Sequence, residues 1–514
     1  MAVLAAAVLA IGCGGAARAR RAADARALAA ADAQVLAGCY DCLRAARDAY
    51  ERLAAGGGAD SVRVRLFETE VLLALRQKEL ALDATAPLER ARTLAPRLPA
   101  ALEPARVLAM VDAVLPDPDG LPLQVMAGHR RRNLPALGRM DGDVRWLAAS
   151  GWSPAARAYL ALALECSNGR RPRERPAGDP PLVTYRMSFC ARVDTAALRR
   201  VHEQVPGFVE TAYYRAQSAT GLAAETGGGE ARALFEVAYA RFPDAPGLTF
   251  AFGWLETIVG DCEAAVRRYD ETIAREPAHE RAWLQRTVCL SAMHQDSAAI
   301  ASATRLIALR SAYASDGYYW RALSHLRRTE LAAARGDADT AKARSRAANV
   351  LTLAGVIEHD QGDLPVAERD LREALDAPSG PANCTAASYL ARVLSRVERW
   401  RESATQFEGA MGCFDGKVSQ LRARIEELLA SAARNPEYTA ARVARLAADS
   451  AEQRRSYHTS AFNAASMHAR TGGFARASEL LDIAARDSAR ADVIAKLREA
   501  MKARPVARTG GAAR

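Results

Sequence analysis

A pattern of small and aromatic residues recurs in the second half of this 514-residue chain, and it limits the possible folds more than any other feature. One segment places Ala231, Phe235, Ala238 and Pro243 in the order small, aromatic, small, proline. A similar segment follows and ends at Pro277, which stands 34 residues after Pro243. A recurring unit of this length cannot bury its apolar face alone, so consecutive units are expected to stack against each other.

Three later segments contain related patterns. In chain order their residues are Gly355, Ala367, Leu371 and Ala374, then Leu390, Ser403, Phe407 and Ala410, and finally Ala465, Ala477, Leu481 and Ala484. The series resembles the tetratricopeptide repeat, in which small residues let paired helices approach and an aromatic side chain fills the gap. Units near 283–311 and 318–348 match less well, with Trp283, Ala299 and Trp320 as their best residues.

The resemblance covers about 212–500 and implies an all-α fold, an α-solenoid of stacked antiparallel helix pairs that forms a superhelix. The long alanine-rich stretches favour helix, and β-branched residues do not alternate as in strands. Residues 27–55 predict one long helix or a tight pair. The predicted organisation is a leader over 1–13, a flexible tether over 14–26, a degenerate helical-hairpin region over 27–200 with irregular loops at 116–143 and 167–189, repeats over 201–502, and a disordered tail over 503–514.

The first residues predict export. Residues 2–12 form an apolar run that ends at Cys13, too short to span a bilayer but long enough for a signal-peptide core. The stretch from Leu9 to Cys13 resembles a bacterial lipobox, in which the cysteine is lipidated and begins the mature protein. Ala10 stands where leucine is usual, and the usual positive charges before the run are missing, which a start codon placed too late would explain. The expected location is the periplasm or the outer membrane, and an uncleaved apolar tail is the alternative.

The remaining eight cysteines predict disulfides. They form four near-neighbour pairs, Cys39 with Cys42, Cys166 with Cys190, Cys262 with Cys289, and Cys384 with Cys413. The repeat register places Cys384 at the start of a first helix and Cys413 at the end of the second, and an antiparallel pair brings these points together. Disulfides persist only in oxidising compartments, so bonds within the four pairs would agree with export. Buried thiols in a cytosolic protein are the alternative.

Motifs that would indicate an enzyme are incomplete. Two histidine–glutamate pairs, at 202–203 and 279–280, could each begin a zinc-protease helix. Pro206 and Trp283 stand where the second histidine is required, so neither motif is complete. We therefore expect a protein that is not an enzyme, with no cofactor and no metal. An enzyme with a site in the irregular 116–190 region is one alternative, and a nutrient-capturing surface lipoprotein is another, although only 6% of the residues are aromatic.

The net charge of +10 does not by itself indicate nucleic acid as a partner. The arginines are interleaved with acids along most predicted helices, and no basic run carries interleaved aromatics. We therefore predict no nucleic-acid partner.

The resemblance implies a protein or peptide partner, because the family holds extended peptides in a groove lined by the first helix of each pair. Transferred by register, the groove positions hold Tyr318, Arg321, His325 and Arg328, then Asn349 and His359, then Arg392 with Arg396 beside it. Arginine can bind a carboxylate through two parallel hydrogen bonds, so an acidic or carboxylate-ended peptide is predicted. The alternatives are that these arginines pair with acids on neighbouring repeats, or that the register at 318–348 is shifted.

Overall fold

The computed structural model describes residues 2–57, 59–114, 134–167, 178–190, 193–378, 383–430 and 436–503. Within these ranges the regular structure is helical and contains no strand, which confirms the all-α prediction. The chain divides into two compact units. Unit 1 comprises Met1–Ala224 and Gly228–Ala282, and unit 2 comprises Glu225–Gly227 and Trp283–Arg514.

The helices run in short antiparallel pairs along the chain. Those of unit 1 are α1 (Ala2–Ala37), α2 (Tyr40–Ala55), α3 (Asp60–Glu79), α4 (Thr85–Leu94), α5 (Pro104–Ala113), α6 (Leu134–Ala149), α7 (Pro154–Ser167), α8 (Pro181–Met187), α9 (Thr195–Gln204), α10 (Glu210–Thr220), α11 (Ala223–Thr226), α12 (Gly229–Arg241), α13 (Pro246–Val259) and α14 (Cys262–Arg275). Of these, α11 ends in the short segment of unit 2. Those that follow are α15 (Glu280–Ala292), whose first residues belong to unit 1, α16 (Asp296–Ala308), α17 (Ala314–Arg327), α18 (Leu331–Arg344), α19 (Ala348–Gln361), α20 (Leu364–Asp376), α21 (Cys384–Arg396), α22 (Trp400–Ala430), α23 (Pro436–Arg470), α24 (Phe474–Ala484) and α25 (Ala491–Ala503).

The N-terminal region differs from the prediction in three places. The predicted tether, 14–26, lies within α1 and is helical. α6 covers the end of the predicted loop 116–143, and α8 lies inside the predicted loop 167–189. α8 forms because proline is accepted in the first turn of a helix and because Leu182 and Tyr185 are fully buried. Residues 116–133 of the first loop, residues 168–177 of the second loop and the tail beyond Ala503 lie outside the described residues.

One turn recurs between the two helices of successive pairs. The chain takes a left-handed backbone conformation at Gly260, His294, Thr329, Gly362, Glu398 and Gly472. The next amide then donates to the carbonyl five residues before it, as from Asp363 N to Glu358 O at 2.9 Å, which satisfies the end of the first helix. The first five turns stand roughly 34 residues apart, the length of a tetratricopeptide unit. The recurring turn therefore gives the chain its period.

Small residues bring the two helices of each pair together. The shared position on the second helix is fully buried and holds Ala265, Ala299, Ala334, Ala367, Ser403 and Ala477. On the first helix, a Cβ added to Gly355 would stand only 2.6 Å from Leu371 Cγ. The buried small residue on the second helix also occurs in the units at 283–311 and 318–348, as Ala299 and Ala334, although these units lack the aromatic residue.

The pair formed by α22 and α23 departs from the period. These helices have 31 and 35 residues, whereas α20 and α21 have 13 each. α22 continues well past Ala410, the last residue of the repeat pattern on that helix, and the continuation carries Lys417. The extension is not part of any repeat.

Three of the four predicted disulfides are confirmed. Cys39–Cys42, Cys166–Cys190 and Cys384–Cys413 are bonded, with Cα–Cα distances of 4.9, 5.0 and 5.4 Å. The fourth predicted bond, Cys262–Cys289, stays a prediction, because Cys262 belongs to unit 1 and Cys289 to unit 2 and each unit is described by itself.

Candidate functional site

A cavity of about 520 Å³ lies on the first helices of three successive pairs in unit 2. We call it the groove pocket. It is lined by Tyr319, Leu323 and Leu326 of α17, by Ala348, Asn349, Thr352, Leu353 and Val356 of α19, by Asn383 with Thr385 and Tyr389 of α21, and by Lys417 of α22. Its volume lies within the range of roughly 300–1,000 Å³ that is usual for ligand pockets.

The apolar part of the groove pocket comes from residues three or four apart on their helices. Such residues share one face, so Leu323 and Leu326 point the same way as Tyr319. Burial raises the pKa of Tyr319, and the Asn349 side chain hydrogen bonds to its hydroxyl. The tyrosine is thus held as a neutral, oriented ring beside two leucines.

Neutral hydrogen-bonding groups form the opposite rim. Asn383 precedes α21 and caps it, because its Oδ1 accepts a hydrogen bond from Ala386 N at 3.1 Å. Its Nδ2 donates to Thr352 Oγ1 of α19 at 2.6 Å, and Thr352 in turn donates to Ala348 O. The side chain of Asn383 therefore connects the start of α21 to α19 at the edge of the pocket.

The charge of the groove pocket is positive. None of its lining residues is acidic, and Lys417 is the charged one. Within the described part of the chain no carboxylate pairs with Lys417, whose side chain is half-buried. A second cation lies close by, because the guanidinium carbon of Arg392 stands 4.5 Å from the centre of the Tyr389 ring.

Three of the predicted groove residues pair within the protein instead of lining the groove pocket. Arg321 donates from Nε and Nη2 to the two carboxylate oxygens of Asp337, each at 2.7 Å. His325 Nδ1 and Arg328 Nε lie 2.6 and 2.8 Å from the oxygens of Glu330. The guanidinium of Arg321 also lies 5.5 Å from the ring centre of Tyr318, so these residues form a separate surface.

These residues do not line the groove pocket because the predicted register of the 318–348 unit is shifted by two residues. The turn at Thr329 corresponds to the turn at Gly362, which pairs Tyr319 with Thr352. The sequence prediction instead equated Tyr318 with Asn349. Two residues rotate a side chain by about 200° around a helix, which moves it to another face. Tyr318, Arg321, His325 and Arg328 therefore lie on a face other than the one that lines the groove pocket.

The other predicted residues lie in or next to the groove pocket. Asn349 lines it. His359 contacts the lining residue Tyr389, with ring centres 5.4 Å apart, and its backbone carbonyl accepts from Arg396 Nη1 at 2.9 Å. The sequence prediction missed Lys417 altogether. Alignment of the turns would have found Tyr319 and the leucines, but Lys417 lies in the non-repeating extension.

A second cavity, of about 600 Å³, lies in unit 1 and touches the 116–190 region through Ser153 and Asp179. Its polar groups bond to each other. Tyr50 and Arg65 both donate to Asp32 Oδ1, at 2.6 and 2.8 Å. Ser153 N, at the start of α7, donates to the buried Glu68 at 2.6 Å, and burial raises the pKa of Glu68. These bonds account for the polar lining as helix capping and ion pairing, so we assign no chemistry to it.

The core of unit 1 also contains a buried ionic network. The fully buried guanidinium of Arg76 donates to Glu79 at 3.1 Å and to Glu210. Arg186 donates to Glu79 at 3.0 Å, and the Tyr185 ring lies under Arg76 with its centre 4.1 Å from the guanidinium carbon. Each charge is thereby compensated by an opposite one, as burial requires.

Among the described residues, no group of three or more histidine, cysteine, aspartate or glutamate side chains is arranged to hold a metal ion. The described helices include none with the length and apolar character needed to cross a membrane.

No family model and no curated protein matches the chain. Several solved structures are similar at low identity. MamA residues 41 to the end, from Desulfovibrio magneticus RS-1, is 16% identical over 33% of this chain and 94% of that chain, with a TM-score of 0.30. YrrB, described as a TPR protein with an unusual peptide-binding site, is 13% identical over 35% of this chain and 91% of that chain, with a TM-score of 0.30. The APC/C hetero-tetramer Cut9-Hcn1 is 12% identical over 86% of this chain and 93% of that chain, with a TM-score of 0.37. These scores are too low to inform function, so the functional argument depends on the groove pocket itself.

Proposed function

We propose that this protein of tetratricopeptide-type helix pairs is a non-enzymatic scaffold that binds an extended segment of a partner protein in the groove pocket. The observation that supports this proposal is the lining of the groove pocket. The first helices of three successive pairs line this one cavity, and they give it both an apolar wall and a neutral hydrogen-bonding rim. A peptide presents one N–H and one C=O at each residue. Side-chain amides such as Asn349 can donate and accept at once, so they suit a peptide backbone, while Leu323 and Leu326 suit an apolar side chain.

The charge of the groove pocket supports an acidic or carboxylate-ended peptide. Lys417 contributes a positive charge at the lining, and Arg392 contributes another beside Tyr389. A half-buried ammonium attracts a carboxylate more strongly than an exposed one does, because the surrounding dielectric is lower. We therefore propose Lys417, in place of Arg321, as the group that binds the carboxylate.

We further propose that the protein is exported and anchored through a lipid on Cys13, in the periplasm or at the outer membrane of a bacterium. The apolar run before Cys13 supports this location. The disulfides support it as well, since such bonds are rare in reducing compartments.

The peptide-binding proposal is tested with a hexapeptide library whose members carry either a free or an amidated C-terminus. We expect the wild type to prefer acidic members with a free carboxylate. Lys417→Ala should weaken binding of the best free-carboxylate peptide by about tenfold, which corresponds to one charge-assisted contact. Binding of its amidated form should change little. Affinities are measured by fluorescence anisotropy at low and high salt, because screening should reduce the preference.

Lys496→Ala is the matched control, since it removes one exposed lysine of α25 and changes the net charge equally. It should bind both peptide forms as the wild type does. If no library member binds the wild type, the proposed function is wrong. If peptides bind but Lys417→Ala retains the full carboxylate preference, the assignment of Lys417 is wrong.

A further inference from the structure

A disulfide lies directly beside the groove pocket. Cys384 is the first residue of α21 and stands between the lining residues Asn383 and Thr385, and its sulfur is bonded to Cys413 of α22. Lys417 follows Cys413 by four residues, so the two side chains share one face of α22. The bond therefore joins the hydrogen-bonding rim of the pocket to the helix that carries its cation.

Other contacts hold α21 and α22 together around this bond. Ala387 of α21 packs with Ala410 and Phe414 of α22 in one buried apolar cluster that includes Cys384. These contacts remain when the disulfide is open, so the helices are expected to stay paired. What the bond adds is a covalent restraint at the start of α21, where Asn383 lies. Its loss should therefore change the placement of Lys417 relative to the rim without unfolding the unit.

The two sulfurs of this bond differ in accessibility. Cys384 is fully buried, whereas Cys413 is partly exposed. Thiol–disulfide exchange needs access to only one sulfur, so a reductant can attack at Cys413. Cys166 and Cys190 are each 1% exposed, and that bond is closed to attack from solvent. The bond at the groove pocket should therefore open before the Cys166–Cys190 bond.

We propose that the Cys384–Cys413 disulfide is a redox switch of the groove pocket, which binds a peptide carboxylate when the bond is closed and binds it weakly when the bond is open. This inference rests on the proposed peptide-binding function. The reductant is a dithiol. Its first thiolate bonds to Cys413 Sγ and displaces the Cys384 thiolate, and its second thiolate then displaces Cys413. The dithiol loses two electrons and becomes a disulfide, and its two protons end on the two protein thiols.

The test compares the oxidised and the dithiol-reduced full-length wild type, with the free thiols identified by alkylation and mass spectrometry. The probe is the free-carboxylate hexapeptide selected from the library, together with its amidated form. Under mild reduction we expect alkylation of Cys384 and Cys413 before Cys166 and Cys190. Reduction should weaken binding of the free-carboxylate form by about tenfold, because preorganisation of the pocket is lost. The preference over the amidated form should fall with it.

Two paired variants separate the switch from a general effect of disulfides. The double variant Cys384→Ala/Cys413→Ala should bind the peptide as the reduced wild type does, and its affinity should not change when the dithiol is added. The double variant Cys166→Ala/Cys190→Ala lacks a bond of unit 1. It should bind the peptide as the oxidised wild type does and should still lose affinity when the dithiol is added. Melting temperatures are measured for all variants, so that binding is compared where each is folded.

Lys417→Ala distinguishes a positioning role from a purely structural one. If the bond acts by placing Lys417, reduction should cost Lys417→Ala almost no further affinity, whereas independent effects would add. Equal binding by oxidised and reduced wild type, or full additivity with Lys417→Ala, would overturn the switch and leave the peptide-binding proposal standing. If no peptide binds the oxidised wild type, both proposals are wrong.

Discussion

At the scale of single residues, the ion pair between Arg321 and Asp337 stabilises the α17–α18 pair and does not serve a ligand. Both side chains are largely buried, and the contact is bidentate. Arg321→Ala should lower the free energy of unfolding by about 1–3 kcal/mol, because it leaves the Asp337 carboxylate without its main partner. Replacing Asp337 as well should cost less than the sum of the single changes. Urea denaturation of the four forms measures this, and additive losses would contradict the pairing.

Arg321 also shows why the role of a single residue is the hardest feature to predict from sequence. Its residue type was correctly read as one that binds carboxylates, but the carboxylate belongs to the protein. Which partner an arginine takes depends on the face of the helix it occupies, and a shift of two residues changes that face. Asn349 was placed correctly because Gly355 and Ala367 fix the register of its unit. Between Trp283 and Ala348 the repeat pattern lacks its aromatic residue, so the sequence does not determine the register of these units.

At the scale of helix pairs, the close approach at Gly355 is the feature that sets how α19 and α20 pack. A Cβ at this position would meet Leu371 Cγ at 2.6 Å and Cδ2 at 2.8 Å. Gly355→Ala should therefore destabilise the protein by about 1–3 kcal/mol through overpacking, although alanine is the better helix former. The melting temperature and the urea midpoint should both fall.

Gly409 of α22 provides the matched control, since it is helical and exposed and a Cβ on it would meet nothing within 4 Å. Gly409→Ala should raise the free energy of unfolding by about 1 kcal/mol, because only helix propensity changes. If both substitutions stabilise the protein, the approach at Gly355 is looser than the structure indicates.

The extension of α22 and α23 marks the limit of repeat-based prediction for whole elements. The pattern around Phe407 and the pattern around Leu481 both identified true helix pairs. The segment between them was expected to continue the series, yet it forms the long extensions of α22 and α23, which no repeat describes. Lys417 comes from this extension, so the charge of the groove pocket arises outside the repeating part of the sequence.

At the scale of the whole molecule, both units carry disulfides, and these bonds bear on the cellular compartment in which the chain folds. Unit 1 contains Cys39–Cys42 and Cys166–Cys190, and unit 2 contains Cys384–Cys413. Cysteine spacing predicted these bonds because their partners are close in sequence. The pair Cys262–Cys289 has similar spacing, and its bond stays a prediction.

The whole-molecule prediction that remains is lipidation of Cys13. The apolar run 2–12 and Gly12 before the cysteine are the features that motivate it. Metabolic labelling with a clickable fatty acid should tag the wild type and place it in the membrane fraction, whereas Cys13→Ser should be unlabelled. Gly15→Ala keeps the thiol and should label as the wild type does. A lipid on Cys13 requires transport out of the cytosol, which would also expose the other cysteines to oxidants. Equal labelling of the wild type and Cys13→Ser, or none in either, would show that the disulfides need another explanation.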